Sequence, residues 1–336
     1  MHWRAIRKQY IEGRLSRAIL RKNFAVVETY LNRKERVTGL FRVAGLPDSS
    51  IPTDVCAIQF SANQIDIRLG APEVFASQML ADRLPELSTL FVLCQRGGAI
   101  GNVLFSLGDS DQISSVAFCS NFPDSLLIPD FEYLRNRAYR NHDQVVRNHA
   151  GEWSQRKPMA VWRGITTGTF AGSDWRSLPR VQLCEIASRR DDLFDVGLTR
   201  VTQFAGSDLA RQELYRKKLM RPFMEAENWV KYKYQIDIDG QSNAWSGLFK
   251  KLMTGSPVLK VASPSHFRQW YYDRLVPFVN FIPVRSDMSD LIENLLWLHA
   301  NDTAAQAIGR AGRELALSLD YENELAKARD AIIARA

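Results

Sequence analysis

The stretch KYKYQIDIDGQSNAWSGLFKKLMTGSPVLK, residues 231–260, constrains the fold more than any other part of the chain. Tyr232, Tyr234, Ile236 and Ile238 recur at period two, the pattern of a half-buried strand. Asp239-Gly240 breaks that strand, and Gln241, Ser242, Asn243 and Ala244 are small or polar. Trp245, Leu248, Phe249 and Leu252 then recur at helical spacing, so the segment reads as strand, tight loop and helix. Gly255-Ser256-Pro257 stops the helix, and Val258, Leu259 and Val261 belong to the next buried strand. A helix that starts directly after a buried strand aims unpaired backbone N–H groups and a partial positive charge over the sheet edge. Nucleotides bind there in open α/β sheets, outside the carboxyl ends of the strands. Many α/β proteins carry the same loop with no ligand, so this segment alone leaves phosphate binding open.

Strand and helix alternate through the rest of the second half. AVWRGITTGTF predicts a strand ending at Trp162, then a loop of Arg163, Gly164, Thr166, Thr167, Gly168 and Thr169. An arginine fork, threonine hydroxyls and glycine amides are the parts of a phosphate cradle. No G-K-[ST] is present, which excludes a Walker loop. LPRVQLCEIAS reads as the crossover helix, LFDVGLT as a strand and RPFMEAENWVKYK as a helix leading into residues 231–260. VNFIPV reads as a strand, and SDMSDLIENLLWLHAND as a helix capped by Ser286 or Asp287. That order predicts a doubly wound parallel sheet. Lys250 and Lys260 can add charge near the anchor loop or lie over the lobe's surface.

The first half carries short strands at FRVAG, CAIQFSA and IDIRL and a helix at PEVFASQMLADRLPE bounded by prolines. Val103, Leu104, Phe105 and Leu107 make a buried strand that Gly108 ends, which leaves Asp109 at its C-terminal tip. A carboxylate at a strand end is placed to act as a general base. A turn aspartate capping the next segment is the other reading. Asp109-Ser110-Asp111 and Asp237-Ile238-Asp239 both have the D-x-D spacing with which many sugar transferases hold a divalent metal and a nucleotide diphosphate. SSVAFCSNF reads as a further strand. Residues 133–157 are polar and uneven in periodicity, the character of a passage between two lobes.

The formal charge is +7, with Arg4, Arg7, Lys8, Arg14, Arg17, Arg21 and Lys22 opposed only by Glu12 in the first residues. An anionic partner is expected: nucleic acid, an anionic membrane surface or a phosphorylated substrate. The absence of helix-turn-helix, zinc-finger and RNP patterns argues against nucleic acid. A solvated basic face explains the run equally well, and Ile6, Tyr10, Leu15, Ile19 and Leu20 suit docking on the chain's own core or on a membrane. Cys56, Cys94, Cys119 and Cys184 are isolated and read as free buried thiols, and the five histidines are equally scattered, so no Cys/His metal site is expected. No window approaches a membrane span, and the first residues lack the apolar core of a secretory signal. The expectation is a cytoplasmic chain, in peripheral contact with the inner membrane face through residues 1–22. The expected division is a basic helical segment at 1–36, one lobe at 37–150 and a second at 151–336.

KYKYQIDIDG, W-S-G-L-F-K-K-L, G-S-P-V-L-K, W-Y-Y and F-I-P-V-R-S-D-M-S-D-L, in that order, resemble the glycosyltransferase family 90 domain, most densely from about Val161 to Ala307. That family includes protein O-glucosyltransferases, capsule-associated xylosyltransferases and bacterial lipopolysaccharide core transferases, and L-F-K-K-L-M-T-G-S-P-V-L-K resembles the bacterial branch most. The resemblance implies a GT-B-type α/β architecture of two Rossmann-like lobes with a cleft between them, a nucleotide-sugar donor held by the second lobe, and inversion at the anomeric carbon. It implies that Asp109 is the catalytic base rather than Asp111, Asp124 or Asp130, because F-S-L-G-D, S-V-A-F-C-S-N-F and D-S-L-L-I-P follow the family's order. It places Arg163-Gly164 near the diphosphate, although Ile165 departs from the family's R-G-S/T element. Trp245-Ser246-Gly247 departs further, since eukaryotic members carry an arginine after the aromatic residue. The donor site is therefore expected at Arg163, Gly164, Thr166, Thr167, Gly240, Ser242, Asn243, Trp245, Lys250 and Lys260, without a metal. The expected activity is hexosyl transfer, of glucose or galactose, from a UDP-sugar to a saccharide or lipid-linked saccharide such as lipopolysaccharide core. The alternatives are xylosyl or other glycosyl transfer to capsule or protein, and a non-enzymatic basic adaptor.

Overall fold

The structure is a computed structural model that describes residues 24–45, 52, 54–69, 78–111, 113–168, 174–202 and 207–336. The basic segment 1–22, and with it the expected membrane contact, lies outside the described residues, as does Thr169. The chain packs as two units: one takes the described residues up to Arg137 with Arg268–Trp270 and Asp320–Ala336, the other Ala138–Phe267 and Tyr271–Leu319.

The first unit is built on β1 (Phe41–Gly45), β2 (Val55–Phe60), β3 (Ile65–Leu69), β4 (Gly101–Ser106), β5 (Val116–Ala117) and β6 (Leu126–Leu127), in the order β1-β3-β2-β4-β5-β6. Its sheet is mixed: β2 runs antiparallel to both β3 and β4, and the other pairs are parallel. The short turn from Phe60 to Ile65, closed by Ser61 N donating to Gln64 O at 2.9 Å, requires that reversal, because parallel neighbours need a long crossover. SSVAFCSNF contributes only two strand residues. The helix Gln78–Arg96 does not stop at Pro85 as the prolines predict, but runs through it. Burial of Leu84, Leu87, Leu90, Phe91 and Cys94 along its apolar face offsets a proline cost of about 3 kcal/mol. Phe91 packs edge-on against Phe60 and Phe105, with ring centroids 6.3 and 5.0 Å apart.

The last helix, Tyr321–Arg335, belongs to this first unit, whereas the sequence order groups it with the second half. Two glycines receive it. A Cβ at Gly101 would lie 1.9 Å from the Ala336 carbonyl oxygen, and one at Gly97 would lie 2.7 Å from the Ile333 side chain.

The second unit is built on β7 (Lys157–Ile165), β8 (Phe194–Arg200), β9 (Tyr232–Asp237), β10 (Val258–Val261) and β11 (Ile282–Val284), all parallel, in the order β8-β7-β9-β10-β11. This is the doubly wound sheet the alternation predicts. β9 sits at its centre and is covered on both faces, so Gln235 and Asp237 are as buried as Tyr234 and Ile236. RPFMEAENWVKYK supplies only a short helix, Ala226–Trp229, because Tyr232 already belongs to β9. VNFIPV is strand only over its last three residues. The helix Leu291–Ala300 starts after Asp290 rather than at Ser286 or Asp287. Asp287 instead accepts from the Ser289 amide at 3.0 Å, and Asp290 from the Arg285 amide at 2.9 Å. Among the described residues no helix is long and apolar enough to cross a membrane.

Candidate active site

The strand order of the second sheet reverses at β7. Its sequence successor β8 lies on one side and β9 on the other, so the crossovers leave in opposite directions and open a crevice at the carboxyl ends of β7 and β9. Arg180, in the first turn of the crossover helix Pro179–Ala187, spans that crevice. Its Nη1 donates to Thr167 Oγ1 at 2.5 Å and to Ile165 O at 3.2 Å, on the β7 side. Its Nε donates to Asp239 O at 3.0 Å and its Nη2 to Ile238 O at 3.2 Å, on the β9 side. Burial pulls the Arg180 pKa down, while Asp237 and Asp239 oppose the shift.

Beneath the crevice lies a buried charge network. Lys260 on β10 stands opposite Asp237 in the ladder with β9. It bonds Asp239 Oδ1 at 2.6 Å and lies 3.2 Å from Asp237 Oδ2. Lys251, from the helix Ser246–Met253, donates to Asp237 Oδ1 at 2.7 Å. Burial opposes the charge on Asp237, yet Lys251 and Lys260 hold its carboxyl below the ordinary range. Burial pushes Asp239 up, with Lys260 pulling against it. Three cations, Arg180, Lys251 and Lys260, face two carboxylates, which leaves one positive charge in excess at the sheet edge.

Two pockets flank Arg180. One is lined by Arg163, Gly164, Arg180, Ala244, Gly247 and Lys251 among others. The other, smaller one brings Asp239, Gly240 and Ser242 to the serines that follow β10 and β11, Ser263, Ser265 and Ser286. The loop from Gly240 to Trp245 closes on itself, with Asn243 Oδ1 accepting from the Trp245 amide. Trp245 is held at φ 50° immediately before the helix, a conformation unfavourable for a bulky residue and characteristic of functional loops. Ser242 Oγ, Asn243 Nδ2 and Asp239 Oδ2 are shielded from solvent with no hydrogen-bond partner, a state that a bound polar ligand would relieve.

Of the residues the sequence nominates, Arg163, Gly164, Gly240 and Ser242 line these pockets, and Thr167 and Asn243 belong to the loops that form them. Several of the nominated residues, Arg163 among them, are also bound within the protein. Arg163 and Gly164 lie inside β7 rather than in a loop. The Arg163 guanidinium donates to Asp195 Oδ1 and Asp195 O, both at 2.6 Å, to Trp162 O at 3.0 Å and to Pro222 O at 3.2 Å. Thr166 Oγ1 is fully buried against Thr202, and the Lys250 ammonium lies over the Tyr139 ring at 5.1 Å. Lys260 does not reach over the surface: it is buried between the two aspartates. Asp237 and Asp239, the second D-x-D, are paired with lysines. Among the described residues no three His, Cys, Asp or Glu side chains are grouped to hold a metal ion.

In the first unit, Asp109 follows β4 and is held by Arg83, whose Nη2 donates to Asp109 Oδ1 at 2.6 Å and whose Nη1 donates to Leu107 O at 2.6 Å. The Arg83 side chain is 7% exposed and that of Asp109 35%, so the arginine is shielded while the carboxylate is partly open to solvent. The other candidates differ. Both oxygens of Asp111 are spent on Ser115, Ser125 and the Ile113 amide, Asp130 caps the helix Phe131–Arg135, and Asp124 is an exposed loop residue. A further carboxyl, Asp54, sits against Gly108, where burial, Asp111 and Asp109 push its pKa up.

Residues 122–323, more than half of the chain, match the family profile described as "Glycosyl transferase family 90". The chain belongs to glycosyltransferase family 90. Protein O-glucosyltransferase 3 of Homo sapiens is 34% identical over 151 residues, 45% of this chain and 27% of that protein. Uncharacterized protein 027R of Frog virus 3 (isolate Goorha) is 31% identical over 188 residues, 52% of this chain and 19% of that protein. The matched stretch thus spans under a third of the length of these curated relatives. A solved structure, Anabaena Alr3699/HepE in complex with UDP-glucose, is similar at 10% identity and a TM-score of 0.37, over 58% of this chain and 53% of that one.

Arg180 and Lys251 are the residues that sequence reasoning passed over. Arg180 lies in a segment that reads simply as a crossover helix, and Lys251 in a K-K pair on an amphipathic one. Only the switch of strand order brings them to the same edge.

Proposed function

We propose that this chain is an inverting hexosyltransferase that uses a UDP-sugar, with the donor held by the second unit and Asp109 as the general base. Asp109 takes the proton of an acceptor hydroxyl as that oxygen bonds the anomeric carbon, and the bond from that carbon to the nucleotide diphosphate breaks on the opposite face. A positioned carboxylate of this kind contributes roughly two to four orders of magnitude in rate. The departing diphosphate is stabilised by the excess positive charge at Arg180, Lys251 and Lys260 and by the loop amides between Gly240 and the helix Ser246–Met253. Ser242 and Asn243, whose buried polar atoms lack partners, contact the donor. With fixed cations in place the reaction proceeds without a divalent metal. The observation that carries this reading is the meeting of Arg180, Thr167 and Asp239 at the point where strand order reverses.

The acceptor we propose is a saccharide, with lipopolysaccharide core as the class, which suits the basic first residues and the wording of the L-F-K-K-L-M-T-G-S-P-V-L-K motif. A protein hydroxyl is the second reading, favoured by the names of the animal relatives. The experiment is release of UDP from UDP-glucose, UDP-galactose and UDP-xylose, in excess chelator, with truncated core saccharide or a folded protein as acceptor. Turnover on the saccharide, with NMR showing inverted anomeric configuration, is the expected result. Turnover only on protein would replace the acceptor assignment, and no turnover with any donor would remove the activity.

A further inference from the structure

An open cavity lies at the amino edge of the second sheet, between Arg156, immediately before β7, and Thr254 and Gly255, ahead of β10. Four arginines line it, Arg147, Arg156, Arg310 and Arg313, and no carboxylate does. Asp143 is shared by Arg147 and Arg313, the latter at 2.6 Å. Arg156 and Arg310 have no acidic partner among the described residues. Arg156 Nη1 donates to Thr254 O at 3.2 Å and Ser256 Oγ at 2.8 Å, while its Nε is shielded from solvent and donates to nothing. The guanidinium lies 5.8 Å from the Trp153 ring centroid, so one wall is aromatic. Arg310 is exposed and makes no hydrogen bond or ion pair among the described residues. Burial, together with the charge of Arg313, pulls the Arg156 pKa down, as expected for a cation lacking its counter-ion.

Grouping cations in a partly desolvated wall without matching carboxylates is unfavourable unless an anion completes the site. Guanidinium forks match phosphate oxygens in pairs and prefer them to the spherical chloride ion. We propose that this cavity binds a phosphate dianion, as a phosphomonoester or diphosphate, at a second site separate from the donor crevice. β7 alone separates the two edges of the sheet by roughly 30 Å, so one ligand of donor size cannot occupy both. The phosphate is carried by a soluble phosphorylated compound or by a phospholipid headgroup.

The test uses the full chain with the donor crevice filled by saturating UDP and two probes, inorganic pyrophosphate by calorimetry at fixed ionic strength and sedimentation with phosphatidylcholine vesicles with or without phosphatidic acid. The wild type should bind at least one probe, and Arg310→Glu should weaken that binding about tenfold or more while leaving the UDP titration unchanged. Arg156→Gln should act in the same direction, with a melting curve to confirm that it folds. Pyrophosphate binding without vesicle binding assigns a soluble phosphate, and pyrophosphate-competed sedimentation assigns the lipid; both support the site. Failure of the wild type to bind either probe, or unchanged binding by a folded Arg310→Glu, overturns it. Because UDP is titrated separately, loss of the donor assignment and loss of this site are distinguishable.

Discussion

Arg180 donates to Thr167 Oγ1 at 2.5 Å from a helix that neither loop belongs to, and the same guanidinium donates to Asp239 O at 3.0 Å. One side chain therefore fixes the spacing between the loop after β7 and the loop after β9. Preorganised positive charge of this kind is most effective when it needs no rearrangement as negative charge develops on a leaving group.

Asp109→Asn should lower turnover by about two to four orders of magnitude with the affinity for UDP and the melting temperature little changed. Asparagine preserves an oxygen that can accept from Arg83 Nη2, so the loop should keep its shape. Steady-state kinetics paired with UDP calorimetry checks this, and equal losses in turnover and donor affinity would move Asp109 out of the base role.

Lys260→Met should destabilise the second unit by about 3–5 kcal/mol, because it leaves Asp239 and part of Asp237 as buried charge without a partner. Denaturant unfolding reads this directly. The double variant carrying Asp239→Asn as well should recover part of the loss.

Much of this architecture was legible beforehand. Period-two and helical spacing in residues 231–260, and the alternation around them, predicted the parallel sheet and the loop at Gly240. The position of Asp109 just beyond β4 was readable from Gly108, which follows the strand. Pairings that depend on tertiary neighbours were not: Lys260 with Asp237 needs the β9–β10 register, and Arg163 shows its attachment to Asp195 only once β8 lies beside β7. The antiparallel β2 and the return of the last helix to the first unit likewise depend on a short turn and two glycines whose meaning appears only in contact.

Stability should fall as the pH drops below about 6.5. Burial depresses the pKa of His142, whose Nε2 lies 3.0 Å from Lys250 O, and burial also depresses that of His299. Unfolded histidine takes up a proton through that range while the folded rings remain neutral, so acid favours unfolding. The contribution is complete above the unfolded pKa and is lost as pH falls through the folded one. His142→Gln should flatten the dependence of melting temperature on pH between 7 and 5, an interval set about the ordinary histidine value.

Cys56, Cys94, Cys119 and Cys184 are free and buried, and burial pushes the thiols of Cys56, Cys94 and Cys184 up to about 12. Thiolate is the reactive form, so native protein should react slowly with a disulfide reagent at pH 8. All four cysteines should titrate in guanidinium. Rapid labelling of the native state would contradict the burial of these four thiols.

The most direct measurement is a crystal structure of the full chain soaked with UDP. The account predicts the diphosphate at the carboxyl edge of the second sheet, in contact with the Gly240 to Asn243 loop and close to Arg180. A diphosphate bound away from that edge, with the pockets at Arg180 vacant, would contradict it.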